Sequence, residues 1–158
     1  MPLYEDKHNA ENVIRISEES KESAVFGTDK VVAFIADELQ AKGTAALDGW
    51  YGVDYQAITE KVRLEMERRG TDCEFIDAST LYITQEELAK YKQPYVTDDP
   101  GFGYVNDSGV ISDIMDADKL KALCDKLEQA QKPVMVYGFG AAVPELSGKY
   151  QRIFYLDI

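Results

Sequence analysis

Apolar residues recur along this chain at two alternating spacings, and the alternation predicts its elements. From Thr28 the spacing is helical: Val32, Ile35 and Leu39 follow at intervals of three and four. Thr28 suits an N-cap and Gly43 a C-terminal glycine, so a helix is expected over 29–42. Residues 44–48 then form a short apolar strand. Asp54 opens a second helix on which Tyr55, Ile58, Val62 and Met66 share a face. Arg68-Arg69-Gly70 closes it with a basic last turn and a glycine stop.

Cys73 to Asp77 reads as the next strand. Thr84-Gln85-Glu86-Glu87 has the form of a capping box for a short helix reaching about Tyr91, before Pro94 interrupts. The stretch 94–117 is rich in proline, glycine and aspartate, and too long for a plain connector, which marks it as functional or mobile. Asp118 to Gln131 forms a third amphipathic helix with Leu120, Leu123, Leu127 and Ala130 on one face. It leads into the strand Val134-Met135-Val136-Tyr137, which exits through Gly138-Phe139-Gly140-Ala141-Ala142. Arg152 to Ile158 is the last expected strand. Residues 1–27 are a polar N-terminal segment in which 12–16 suggests an edge strand and 17–23 a solvated stretch.

Strands that alternate with helices, and that are continuously apolar instead of alternating, imply a parallel sheet buried on both sides. The expected fold class is α/β: a three-layer parallel sheet with helices on both faces, formed by a single domain over 28–158. Right-handed crossovers gather strand C-termini at one edge, where such sheets bind ligands. The turns Asp48–Gly52, Asp77–Thr80 and Gly138–Ala142 all follow strand ends, so they are expected to meet.

The first of these turns, Asp48-Gly49-Trp50-Tyr51-Gly52-Val53-Asp54, runs from strand to helix at the place of a phosphate loop. A working loop of that kind has Gly-Lys-Ser/Thr, whose lysine meets the phosphate charge and whose hydroxyl holds Mg²⁺. Val53 and Asp54 stand there instead. Gly49, Gly52, Val53 and Asp54 are the candidate cofactor-binding positions, and a tight turn explains the glycines as well as phosphate does. Asp54 also suits an N-cap, in which role it competes with phosphate for the same N–H groups. Asp48 and Asp77 are the candidate catalytic carboxylates, Asp77 as general base. Plain strand-end turns are the alternative for both. Asp98 and Asp99 suggest a metal pair, or turn residues before Pro100-Gly101. Gly138-Phe139-Gly140 lacks the third glycine of a dinucleotide fingerprint and reads as a close-packed strand exit. Trp50, Tyr51, Phe102, Tyr104 and Phe139 are loop aromatics suited to an interface or to stacking on a ring.

Four motifs together resemble a known region: Leu47-Asp48-Gly49-x-x-Gly52-Val53-Asp54, Phe75-Ile76-Asp77-Ala78-Ser79, Asp98-Asp99-Pro100-x-Phe102-Gly103 and Val136-Tyr137-Gly138-x-Gly140-Ala141-Ala142. It is an N-terminal region of bacterial mannose-6-phosphate isomerase-like proteins, similar to a P-loop nucleoside or uridine kinase domain that has lost its Gly-Lys-Ser/Thr. The resemblance covers roughly residues 28–158. It implies an accessory domain partnered with an isomerase catalytic domain, whose zinc would sit in a separate cupin barrel held by histidines and a glutamate. The single histidine here, His8, cannot build such a site, so no metal site is expected in this chain. A final strand with no helix after it suggests a truncated copy.

Composition narrows the partners. Seventeen Lys and Arg against 29 Asp and Glu give a net charge of −12, which repels nucleic acid and anionic lipid. No apolar run approaches the roughly 20 residues of a membrane span, and no signal peptide is evident, so a cytoplasmic protein is expected. Cys73 and Cys124 read as buried, reduced core thiols.

Three functions compete. The first is a kinase-like accessory domain, non-catalytic alone, with at most weak nucleotide binding and a small phosphorylated ligand. The second is an active nucleoside or sugar phosphotransferase with Asp77 as base, Asp48 or Asp99 on Mg²⁺, and Lys149 or Arg152 on phosphate. The third is a stand-alone acidic interaction module.

Overall fold

The computed structural model describes residues 16–157. Four strands form one all-parallel sheet: β1 (Thr44–Gly49), β2 (Glu74–Asp77), β3 (Val134–Tyr137) and β4 (Arg152–Leu156), in the order β2-β3-β1-β4. These are the four strands that the apolar runs predict. The helices are α1 (Glu18–Glu22), α2 (Thr28–Lys42), α3 (Tyr55–Arg68), α4 (Gln85–Lys92), α5 (Ala117–Glu128) and α6 (Pro144–Ser147).

Alternation along β1 shows how the sheet is covered. Ala45 and Leu47 point to one face, where Val32, Ile35 and Leu39 of α2 and Val62 and Met66 of α3 pack on them with Met135. Ala46 points to the other, with Val134 and Val136 of β3, Leu120, Leu123 and Leu127 of α5 and Leu146 of α6. Each fully buried Leu contributes roughly 1.5–3 kcal/mol relative to exposure. The helical spacings in the sequence therefore mark core faces, and the arrangement has three layers. The connection from β1 to β2 runs one way along the sheet over the α2/α3 face. The returns to β3 and β4 run the other way over the α5/α6 face, as right-handed crossovers require.

The ends of the elements differ from expectation in instructive ways. Gly27, at φ +92°, takes the cap position of α2 without a side-chain cap, and Thr28 is already helical. Asp116 caps α5 by accepting from Asp118 and Lys119, so that helix begins at Ala117 and stops at Glu128, leaving Ala130 half-buried beyond it. The capping box of Thr84 and Glu87 opens α4 as predicted. Helix α1 forms within the stretch read as solvated, capped by Ser17, and all its residues are exposed. Helix α6 was not expected; Pro144 sits in its first turn, where the missing N–H is not needed. The edge strand expected at 12–16 lies outside the described residues apart from Ile16.

The long segment 94–117 is mostly exposed, anchored near its middle by Asn106, whose side-chain amide donates to the Tyr91 hydroxyl of α4 (2.9 Å), and at its C-terminal end. Asp116 N–H donates to the Leu81 carbonyl (2.8 Å), Ile83 N–H to Ile114, and Met115 is buried. Asp98 and Asp99 are exposed, and Asp99 accepts from Gly101 N–H (2.8 Å), the turn role. Both cysteines are half-buried, a correction to the reading of core thiols. Burial pushes the Cys73 thiol up to about 12, and raises that of Cys124.

Arg69 fastens α3 to α2. Its guanidinium meets Glu65 (2.7 Å), Asp37 of α2 (2.6 Å) and the Ala33 carbonyl (3.3 Å). Hydrogen bonds from Arg68 and Arg69 hold the Glu65 carboxyl down to about 2.

Gly49 belongs to β1 and not to the turn after it, because it pairs with Leu156 of β4, and the closeness of that pairing requires glycine. A Cβ there would lie 2.0 Å from the Leu156 carbonyl oxygen of β4. Because that contact is backbone, no rotamer change relieves it. Gly49→Ala is expected to destabilise the protein by about 3 kcal/mol or more, as overpacking against a rigid partner does. Urea unfolding checks this; a loss below about 1 kcal/mol contradicts it.

Candidate functional site

Strands β1 and β3 are neighbours, yet the chain leaves β1 toward the α2/α3 face and β3 toward the α5/α6 face. That divergence opens a crevice beyond their C-terminal ends, the place where open parallel sheets hold ligands. A cavity of about 310 Å³ occupies it. The turn after β1 and the start of α3 contribute Tyr51, Val53, Asp54, Tyr55 and Gln56. The end of β2 contributes Asp77 and Ser79, followed by Tyr82, and β3 with its exit turn contributes Tyr137, Gly138 and Phe139. The three turns expected to meet do meet.

The arrangement is held by Asp48, at the penultimate position of β1. Its carboxylate accepts from Gly49 N–H (2.7 Å) and, from the exit turn of β3, from Gly140 N–H (3.0 Å) and Ala142 N–H (2.8 Å). The exit turn of β3 thus forms a small nest of backbone donors, and the chain's own carboxylate fills it. Gly140 permits this geometry at φ +77°. A Cβ there would strike Met115 at 2.7 Å and Ile111 at 2.9 Å.

The strand-to-helix turn is likewise closed on itself. Trp50 N–H donates to Leu156 (3.1 Å), Val53 N–H to Trp50 (3.1 Å) and Tyr55 N–H to Val53 (3.0 Å). Asp54 caps α3 by accepting from Ala57 N–H (3.0 Å). The N–H groups of Trp50, Val53, Tyr55 and Ala57, at both ends of the turn, thus donate within the chain and not to a ligand. Of the four positions proposed for a cofactor, Gly49 is a strand residue, Gly52 is exposed in the turn, and Val53 and Asp54 line the crevice. Asp77 also lines it; its Oδ1 accepts from Ser79 N–H (2.8 Å), capping a short 3-10 turn over Ala78–Leu81.

Tyrosines brace these turns, which the sequence reading did not foresee. Tyr55 donates to the Trp50 carbonyl (3.0 Å), Tyr82 to Phe139 (2.9 Å) and Tyr150 to Ala141 (2.8 Å). Burial raises all three hydroxyls, Tyr55 to about 12, and the Asp48 charge raises them further, so at neutral pH they remain donors. The partners are backbone carbonyls, which no residue pattern reveals.

Lys149 and Arg152, the cations proposed for phosphate, are at the wrong end. Arg152 begins β4 and pairs with Glu38, while Lys149 pairs with Glu128 and its carbonyl accepts from Thr44 at the start of β1. Strand rise alone separates Arg152 from the C-terminal edge by about 13 Å. Trp50 and Tyr51 stack at 5.0 Å between ring centres and are exposed, with Tyr51 71% accessible. Phe139 lines the crevice, whereas Phe102 and Tyr104 stand exposed on the long segment and are not part of its lining.

If Asp48 is a structural tie, its two oxygens matter more than its charge. Asp48→Ala strands the Gly140 and Ala142 N–H groups and is expected to cost about 2–4 kcal/mol. Asp48→Asn keeps one acceptor and is expected to cost less. Urea unfolding of both variants checks the order; equal and small losses contradict it.

Comparison with known proteins gives a family and no neighbour of known activity. The profile of DUF8485, described as a domain of unknown function, matches residues 27–158. No curated protein and no solved structure matches the chain. No helix among the described residues is long and apolar enough to cross a membrane. The chain, with its parallel four-stranded sheet and self-filled backbone nest, belongs to the DUF8485 family.

Proposed function

We propose that this chain is a P-loop-kinase-like domain that does not transfer phosphate, serving as a docking or ligand-sensing accessory to sugar-phosphate isomerase chemistry. The kinase-like part is supported by a parallel sheet, with the first strand running through a short turn into a helix at the switch point. The order β2-β3-β1-β4 differs from the two common doubly wound orders, which weighs against a dinucleotide or flavin domain. The isomerase connection rests on the sequence resemblance.

One observation carries the loss of phosphoryl transfer: Asp48 occupies the backbone nest, beside a turn in which the Trp50, Val53 and Tyr55 N–H groups donate within the chain. Phosphoryl transfer depends on neutralising spread negative charge. Here the crevice is lined by Asp54 and Asp77, and no Lys or Arg is among its lining residues. An active phosphotransferase would need a cation brought in from elsewhere.

Calorimetry with Mg-ATP is the direct test, and weak binding with little Mg²⁺ dependence is expected, because a helix N-terminus without charge pairing holds phosphate poorly. Submicromolar binding would refute it. The purified chain is also expected to show no interconversion of mannose 6-phosphate and fructose 6-phosphate, with or without zinc. Turnover that a chelator abolishes and zinc restores would overturn the accessory assignment.

A further inference from the structure

The crevice has a chemistry of its own, apart from what it lacks. Four tyrosines and a phenylalanine line it: Tyr51, Tyr55, Tyr82, Tyr137 and Phe139. Between them stand the carboxylates of Asp54 and Asp77. Each uses one oxygen, Oδ1, to cap the following turn. Burial, with the Asp77 charge behind it, raises the Tyr137 hydroxyl, so that ring stays neutral in a lining it shares with the Asp77 carboxylate. Two cations on neighbouring elements are engaged: Arg63 lies 4.4 Å over the Phe75 ring and pairs with Glu60, and Lys119 donates to the Tyr82 carbonyl.

From this lining we infer that the crevice takes an organic cation, a protonated amine carried on a ring or short apolar frame, and not a phosphate. The inference rests on the crevice being the ligand site of the proposed accessory domain. Aromatic faces attract ammonium groups through their quadrupole, and the attraction grows when the site is partly dry. The two carboxylates add charge, and a chain at −12 draws cations toward it. The positive end of α3 opposes this with about half a charge, less than the full charge of its cap, Asp54. A volume of about 310 Å³ suits a single ring. A neutral sugar would stack equally well but gains nothing from the charge; an anion is repelled.

The test is a set of NMR titrations of the 158-residue chain at low salt, using glucosamine, glucose and inorganic phosphate as probes. Glucosamine is expected to shift the amides of Tyr51, Tyr137, Gly138 and Phe139, with affinity about tenfold above glucose and falling as salt rises. Asp54→Asn with Asp77→Asn keeps both caps, because the amide oxygen still accepts, and is expected to erase the preference for glucosamine while leaving glucose unchanged. Tyr51→Ala, at an exposed ring, is expected to weaken both sugars without altering the fold. Equal affinity for glucose and glucosamine would overturn the inference alone. Phosphate shifting the Val53 or Gly140 amides more strongly than glucosamine would overturn both the inference and the loss of phosphate binding on which the proposed function stands.

Discussion

A single carboxylate ties the working edge of this sheet together. Asp48 reaches from β1 to the exit turn of β3 and takes two of its backbone N–H groups at a half-buried position. Buried N–H groups need acceptors, so whatever fills that nest decides the shape of the turn around it. Once Asp48 fills it, Gly138 and Gly140 adopt positive φ, Phe139 faces the crevice, and Tyr82 and Tyr150 find carbonyls to brace. The crevice follows from the tie.

On the proposed reading, the same tie takes away the anion binding that a backbone nest beside a helix N-terminus would offer. A backbone nest attracts anions, and a helix N-terminus adds to the attraction. Both are present here, but each is met by a carboxylate of the chain itself: Asp48 in the nest and Asp54 on α3. An incoming phosphate would have to displace a covalently attached competitor and then stand beside Asp77. The aromatic lining and the spare carboxylate oxygens favour the opposite charge.

Much of the fold was legible in the residue pattern, because apolar spacing reports burial and burial dictates the layers. Val32, Ile35 and Leu39, and likewise Leu120, Leu123 and Leu127, mark the two covered faces, and the strand runs mark the sheet between them. Element ends were less legible, since Gly27 and Asp116 compete with equally plausible caps one or two residues away. Strand order could not be read from alternation alone. The site was legible as a location and not as a role. Three turns after three strands had to converge, but Gly49 is explained by Leu156, more than a hundred residues away in sequence, and Asp48 by the amides of Gly140 and Ala142. Contacts of a side chain with distant backbone leave no trace in residue type.

The claim that Asp48 holds the nest against phosphate is tested most directly at the amides themselves. Hydrogen exchange of Gly140 and Ala142, followed by NMR with and without saturating Mg-ATP, reads whether those N–H groups keep their internal acceptor. The account predicts slow exchange in the free protein, unchanged by nucleotide, and fast exchange in Asp48→Ala. Fast exchange in the free protein that becomes slow when Mg-ATP is added would show the nest open to phosphate and contradict the account.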